Sequence, residues 1–267
     1  MEKDKRIVYL KNDINRKAFY SRYRAILNST GEYILIIDPD DLLINNILIK
    51  TYITAKKYNL DIVQFYMMIG FPLIPGLWSN LKYKGGILKN NSEIRNIFYY
   101  GESRNLADKL IRREIYIKSI KFMGDEFINE DYHINDDDTA FFNLIHVAET
   151  YGFLEEIGYF YILRSKKNKK SIYEIANESV HSIFNNLKYF FLRSDNNTIE
   201  KINIGYKYFQ KRKIKGFEKY ILNMTEGFDF ALDVLNLYLN STYFDDSQKE
   251  DINNYKSKII NRQNQLK

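Results

Sequence analysis

The sequence contains no cysteine, three histidines and three prolines in 267 residues. A chain without cysteine cannot build a disulfide framework or a cysteine-ligated zinc site. Three histidines are too few for a histidine-rich metal centre. Three prolines exclude the collagen-like and proline-rich classes. The lack of cysteine also agrees with a reducing compartment.

Long hydrophobic runs are missing as well. The most apolar stretch, Ile62–Trp78, is interrupted by Gln64, Gly70 and Pro72, and it is shorter than the roughly 20 residues that span a bilayer as a helix. The opening residues Met1–Arg6 are mostly charged, unlike a secretion signal. We therefore expect a cytoplasmic protein whose contact with membranes, if it has any, is peripheral.

Charge divides the chain into two parts. The formal net charge is +6, and the 45% hydrophobic and 16% aromatic fractions exclude an intrinsically disordered chain. Residues 1–164 carry 22 basic and 22 acidic side chains, whereas the rest of the chain carries 18 and 12. Part of the basic excess lies in the runs 166–170 and 211–215. These differences predict a first domain over 1–165 and a second region over 166–267.

The first part alternates strand and helix patterns. Short apolar runs are typical of buried strands, and apolar residues three or four positions apart are typical of helices. The order is strand, helix, strand, helix and strand, at Ile7–Leu10, Phe19–Asn28, Tyr33–Ile37, Leu42–Lys57 and Asp61–Met68. This order predicts an α/β, Rossmann-like fold with a mostly parallel sheet. The second part has apolar residues at helical spacing and no proline, which predicts an α-helical C-terminal region.

Three carboxylates follow directly after the apolar run Tyr33–Ile37, in the order Asp38-Pro39-Asp40-Asp41. In open α/β sheets, ligands bind beyond the carboxyl ends of the strands. Carboxylates at such a place can bind Mg²⁺ or Mn²⁺, and the cation can bind a diphosphate. The alternative is a helix cap, and Asp41 can cap the following helix while Asp38 and Asp40 face a ligand.

The segment around this cluster resembles the core of glycosyltransferase family 2, whose members have a GT-A fold. Ser21-Arg22-Tyr23-Arg24-Ala25-Ile26 is similar to the family's A-R-N-x-G-I helix. Gly31–Asp41 is similar to its G-E-Y-I-x-F-L-D-S-D-D run. Of the helix motif the arginine matches, whereas Tyr23 and Ala25 replace the usual asparagine and glycine.

This resemblance implies a site for a nucleotide-sugar donor. Asp38 and Asp40 would bind Mn²⁺ or Mg²⁺ as the family's D-x-D motif, and Asp38 and Arg22 would contact the donor. Two later segments extend the likeness: Asp108–Glu114, similar to x-K-L-[FIY]-R-R-E, and Asn135–Phe142, similar to E-D-x-x-F. The second of these implies a general base that takes the proton of an acceptor hydroxyl, namely Asp138 with Asp137 beside it.

A third segment, Ile157–Arg164, is similar to the family's P-x-Y-Y-Y-x-R end of the catalytic domain. By this likeness Arg164 would lie near the donor diphosphate, where a guanidinium suits bidentate contact; the alternative is a surface arginine. Alternatives also remain for the base. The acidic run before Thr139 can cap a helix, and Glu130-Asp131 is a rival placement of the motif.

The resemblance implies an inverting, hexosyltransferase-like enzyme that moves a sugar from a nucleotide-diphosphate sugar to a hydroxyl of a glycan or lipid-linked acceptor. Family members carry two further strands with P-x-Y-N and D-D-G-S segments that hold the nucleotide. Neither segment is found here, so we expect a partial GT-A domain with weak nucleotide binding or no activity. The alternative is a non-catalytic module that binds an anionic membrane surface or a nucleic acid through its basic tail, although no nucleic-acid-binding motif is present.

Overall fold

The computed structural model describes residues 4–44, 46–70, 86–99, 104–124, 136–163, 171–193, 221–240 and 246–267. The chain divides into two compact units. The first comprises Met1–Arg95, Ser103–Tyr132 and Asn143–Leu163, and the second comprises Asn96–Glu102, His133–Phe142 and Arg164–Lys267. The division of the chain after residue 165 stays a prediction.

Strands and helices are interspersed in the described chain up to Ile162, and the elements described after it are all helices. The strands are β1 (Tyr33–Leu35), β2 (Leu42–Leu43), β3 (Ile62–Gly70), β4 (Gly86–Leu88), β5 (Lys109–Arg112) and β6 (Tyr151–Ile162). The helices are α1 (Lys17–Asn28), α2 (Ile47–Tyr58), α3 (Asn91–Tyr99), α4 (Arg113–Met123), α5 (Asp136–Val147), α6 (Ile172–Arg193), α7 (Phe228–Leu239) and α8 (Asp246–Gln265). Within the described ranges, no helix is both long and apolar enough to cross a membrane.

The strands form one mixed sheet. Its order is β1-β5-β3-β6-β2, and β4 pairs with the first residues of β6. β3 and β6 are parallel, and the other pairings in the described chain are antiparallel. The α/β class and the helical C-terminal region are confirmed, but the sheet is not mostly parallel. Strand direction could not be predicted from the sequence, because an apolar run indicates a buried strand but not its direction.

Elements near the N-terminus also differ from the prediction. The run Ile7–Leu10 forms no strand, and its first three residues are at least 62% exposed. An apolar run with high β propensity becomes a strand only where a neighbouring strand offers hydrogen bonds and packing. The helix expected from Leu42 begins at Ile47, because β2 precedes it and pairs with β6.

β3 forms the centre of the first unit. Its residues Ile62, Val63 and Phe65 are fully buried, as a continuous apolar run predicts for a strand covered on both faces. Gly158 of β6 lies so close to the Phe65 ring and to Ile47 that a methyl group there would overlap both. This close approach accounts for a glycine in the interior of β6.

Aromatic side chains form the core of the second unit. Phe142 packs on Phe190 with ring centroids 4.7 Å apart and on Tyr189 with centroids 5.9 Å apart. The Tyr238 hydroxyl donates to the Leu187 carbonyl at 2.8 Å and so links α7 to α6. The aromatic residues at helical spacing therefore pack against one another, which is the ordinary role of such a stripe.

Candidate functional site

Three strands of the first unit end at one edge of the sheet. β1 and β3 are both antiparallel to β5, and β3 is parallel to β6, so β1, β3 and β6 run in the same direction. Their carboxyl ends therefore share an edge, where the Leu163 N–H donates to the Gly70 carbonyl at 2.8 Å. In open α/β sheets this is the edge at which ligands bind. The acidic segment that follows β1 lies there.

The acidic segment Asp38-Pro39-Asp40-Asp41 forms a tight turn. The Asp41 N–H donates to the Asp38 carbonyl at 3.2 Å, and proline occupies the second position, where its restricted φ favours such turns. Asp40 is exposed, and the side chain of Asp38 is 36% exposed. The turn thus leaves two carboxylates accessible at the edge of the sheet.

One tyrosine contacts both ends of this turn. Tyr159 of β6 is fully buried, and its hydroxyl accepts the Asp38 N–H at 3.1 Å and donates to the Asp41 carboxylate at 2.7 Å. Burial, with a further contribution from the Asp41 carboxylate, raises the pKa of the Tyr159 hydroxyl well above its usual value. The hydroxyl therefore stays protonated at neutral pH and can donate to Asp41.

Asp41 has both carboxylate oxygens engaged inside the protein. Oδ2 accepts from Tyr159, and Oδ1 accepts from the N–H of Ile162 at 2.9 Å. The prediction that Asp41 caps the next helix is wrong, because β2 follows it and α2 begins after Asn46. Tyr159 has no role among the sequence predictions, because nothing in the aromatic end of the third family-like segment distinguishes it from the neighbouring tyrosines.

Arg22 of α1 lies beside Asp38. Its Nη2 is 2.9 Å from Asp38 Oδ1, and the two side chains are 20% and 36% exposed. The structure thus brings together two of the residues that the family resemblance assigns to the donor. α1 and β1 border a groove of about 400 Å³. Arg22 provides a charged side chain in this groove, while Ala25, Ile26 and the run 33–37 provide most of its apolar lining.

The carboxylates at this edge suit a cation that is shared with a substrate. Among the described residues there is no group of three or more acidic, histidine or cysteine side chains that could hold a metal ion. Asp38 and Asp40 offer two carboxylates, and one oxygen of Asp38 accepts from Arg22. Mg²⁺ is commonly bound by one or two carboxylates, with water and substrate phosphates filling the other positions. The donor set therefore fits a cation bound together with a diphosphate.

The family-like segment that begins at Asp108 builds a buried polar network. The side chains of Asp108 and Lys109 are fully buried and form an ion pair at 2.6 Å. Asp108 also accepts from Gln64 at 3.0 Å, and Gln64 accepts from the Tyr151 hydroxyl at 2.6 Å. The network links β5 to β3 and β6. Buried charges are tolerated when they are paired and hydrogen-bonded in this way.

The expected general base lies in the second unit. Asp137 and Asp138 are in the first turn of α5, which begins at Asp136 instead of Thr139. Both are partly exposed, and carboxylates in the first turn of a helix interact favourably with its dipole. Their role as the general base stays a prediction.

Several sequence predictions fall outside the described residues. They are the donor-binding role of Arg164, the rival motif at Glu130-Asp131 and the basic runs 166–170 and 211–215. All of them stay predictions.

Solved structures of TarS from S. aureus resemble this chain. TarS 1–349 in complex with UDP-GlcNAc has a TM-score of 0.62 at 13% sequence identity, over 92% of this chain and 69% of that one. TarS 1–349 in complex with UDP has a TM-score of 0.58 at 14% identity, over 92% and 68%. No protein-family model matches the sequence, and no curated protein matches it. The structural likeness shows that the chain has a GT-A-like α/β fold with a helical C-terminal region.

Proposed function

We propose that this chain is a glycosyltransferase that moves a sugar from a nucleotide-diphosphate sugar to a hydroxyl of a glycan or lipid-linked acceptor. One observation carries the proposal: an accessible pair of carboxylates, Asp38 and Asp40, stands at the shared carboxyl edge of β1, β3 and β6. The fold resembles that of TarS bound to UDP-GlcNAc. In sheets of this kind, nucleotides bind at that edge.

In this proposal Asp38 and Asp40 hold Mn²⁺ or Mg²⁺ against the donor diphosphate. A bound cation would neutralise the negative charge that develops on the leaving nucleoside diphosphate. Nη2 of Arg22 donates a hydrogen bond to Oδ1 of Asp38 at 2.9 Å. A guanidinium has five N–H donors in a fixed plane, a geometry that suits contact with a phosphate, and Arg22 is the proposed positive partner of the diphosphate.

Asp138 is the proposed general base, with Asp137 beside it, and Arg164 is a further proposed contact to the diphosphate. A sugar hydroxyl is a weak nucleophile until a carboxylate takes its proton during the attack. Attack on the anomeric carbon from the side opposite the leaving diphosphate would invert its configuration. The support for these roles is the motif likeness of the segments in which the residues stand.

Calorimetric titration with UDP-GlcNAc, UDP-glucose and UDP, with and without Mn²⁺, tests donor binding. We expect weak, Mn²⁺-dependent binding, so the titrations extend to millimolar ligand. Asp40→Asn removes one proposed ligand charge at nearly constant size and should abolish the Mn²⁺ dependence. Asp13→Asn is the matched control, because Asp13 is an exposed acid outside the turn.

Each result has a separate meaning. Full Mn²⁺-dependent binding by Asp40→Asn would contradict the cation assignment, and no binding of any of the three nucleotides by the wild type would contradict the donor class. Asp138→Asn should still bind the donor, but it should no longer release UDP from the donor when an acceptor is present. Loss of binding in Asp138→Asn would contradict its role as a base.

A further inference from the structure

The Asp38–Asp41 turn is anchored to β6 by three hydrogen bonds. The Tyr159 hydroxyl makes two of them, with the Asp38 N–H and with the Asp41 carboxylate, and the Ile162 N–H makes the third, with the other oxygen of Asp41. The partners are 118 to 121 positions apart in the sequence. A short loop that lacks such contacts samples many conformations, so these bonds limit where both ends of the turn can lie.

The Tyr159 hydroxyl makes both its donor and its acceptor hydrogen bond to this turn. A phenol hydroxyl has one hydrogen to donate, and Tyr159 donates it to Asp41 while accepting from Asp38. Tyr159 is fully buried, so water cannot readily replace either partner. Its backbone is held on both sides, because Tyr159 is in register with Met67 of β3 and with Leu43 of β2.

We propose that Tyr159 and Asp41 are positioning residues that hold Asp38 and Asp40 at the spacing a divalent cation needs, and that Asp41 is not a cation ligand. This inference rests on the proposed function. Both oxygens of Asp41 already accept hydrogen bonds from β6, whereas Asp40 is exposed and the side chain of Asp38 is 36% exposed. A ligand set must be held to within about 0.5 Å by its supporting contacts to bind its target well.

Removal of the hydroxyl alone tests the anchor. Tyr159→Phe keeps the ring, and Tyr151→Phe is the matched control, because Tyr151 is another fully buried residue of β6 whose hydroxyl donates to Gln64 and not to the turn. UDP is titrated into each protein with and without Mn²⁺. Tyr159→Phe should weaken the Mn²⁺-dependent binding of UDP roughly tenfold, the size expected for a lost hydrogen bond to a charged partner. Its Mn²⁺-free binding should not change, and Tyr151→Phe should keep both.

Amide hydrogen exchange provides a second reading that needs no ligand. The Asp38 N–H loses its acceptor in Tyr159→Phe and should exchange faster than in the wild type, whereas Tyr151→Phe should leave its rate unchanged. A loss of global stability alone would accelerate exchange at many amides in both variants. Equal protection of the Asp38 amide in the wild type and in Tyr159→Phe would overturn the proposal.

A comparison of two aspartates separates positioning from ligation. The amide oxygen of Asp41→Asn can still accept from Tyr159, but its NH2 group cannot accept from the Ile162 N–H. Because this variant keeps one of the two contacts of Asp41 and removes no proposed ligand, it should lose less Mn²⁺-dependent UDP binding than Asp40→Asn. An equal or larger loss in a variant whose Asp38 amide keeps its wild-type protection would make Asp41 a ligand and overturn the proposal. If the wild type shows no Mn²⁺ dependence, the proposed function fails and this inference with it. If the wild type shows it and Tyr159→Phe retains it in full, this inference alone fails.

Discussion

The guanidinium of Arg22 lies 2.9 Å from the carboxylate of Asp38 and joins α1 to the segment that follows β1. One helix side chain thereby places a positive charge beside the carboxylates at the carboxyl edge of β1, β3 and β6. The contact joins Nη2 of Arg22 to Oδ1 of Asp38, and the side chains of the two residues are 20% and 36% exposed.

Arg22→Gln should weaken UDP binding, because the diphosphate would lose a positive partner, and should cost the fold little. Partly exposed ion pairs contribute about 1 kcal/mol or less to stability. Calorimetry with UDP and Mn²⁺, together with thermal unfolding, measures the two effects. Arg6→Gln is the control, since Arg6 pairs with Asp4 and is 89% exposed. Tighter Mn²⁺ binding in Arg22→Gln would show instead that Arg22 competes with the cation for Asp38.

Tyr159 should make stability depend on alkaline pH. Burial, the largest cause, raises its pKa in the folded chain above the ordinary value of 10.0. The folded state therefore holds this proton to a higher pH than the unfolded state, so the contribution to stability is complete below about pH 10 and declines as the pH rises further. Urea unfolding between about pH 9 and pH 11 should show a steeper loss for the wild type than for Tyr159→Phe. Parallel losses would contradict this linkage.

Gly158→Ala should destabilise the fold more than Gly152→Ala. At 158 the added methyl overlaps the Phe65 ring and Ile47, both in a packed core, and overpacking of this kind costs about 1–3 kcal/mol. At 152 the methyl meets Cδ1 of Leu60, the end of a side chain that can change rotamer. Urea unfolding of the two variants measures the difference. Equal losses of stability would mean that Phe65 and Ile47 accommodate the added methyl group as easily as Leu60 does.

Lys109→Met should be strongly destabilising, by about 3–5 kcal/mol, because it leaves the Asp108 carboxylate buried without its partner. Asp108→Asn in the same chain should recover part of the loss, since the amide oxygen can still accept from Gln64. Chemical denaturation of both single variants and of the double variant gives the coupling energy. Additive losses would show that the two charges do not stabilise each other.

Helix α1 and strand β3 were predictable because their signals are local. Apolar spacing of 3.6 residues marked Phe19–Asn28, close to the observed Lys17–Asn28, and a continuous apolar run marked Asp61–Met68, close to Ile62–Gly70. The run Ile7–Leu10 has the same local signal, but its residues are largely exposed and unpaired with any described strand. A strand needs a neighbour, and the neighbour is chosen by the rest of the fold.

In the candidate site, too, some residues could be predicted from the local sequence and others could not. Asp38 and Asp40 could be singled out because two carboxylates after an apolar run are visible within a few residues. Tyr159 could not, because its partners lie 118 and 121 positions away, and nothing in the local pattern distinguishes it from the other tyrosines of β6.

The α/β class, the helical C-terminal region and the carboxylates at the end of β1 follow from the local sequence, since each depends on periodicity or on adjacent residues. The strand directions, the pairing of Arg22 with Asp38 and the anchoring of the turn by Tyr159 are seen only in the folded chain. These features depend on which distant segments pack together, and that choice is made by the burial and hydrogen bonding of the whole sheet.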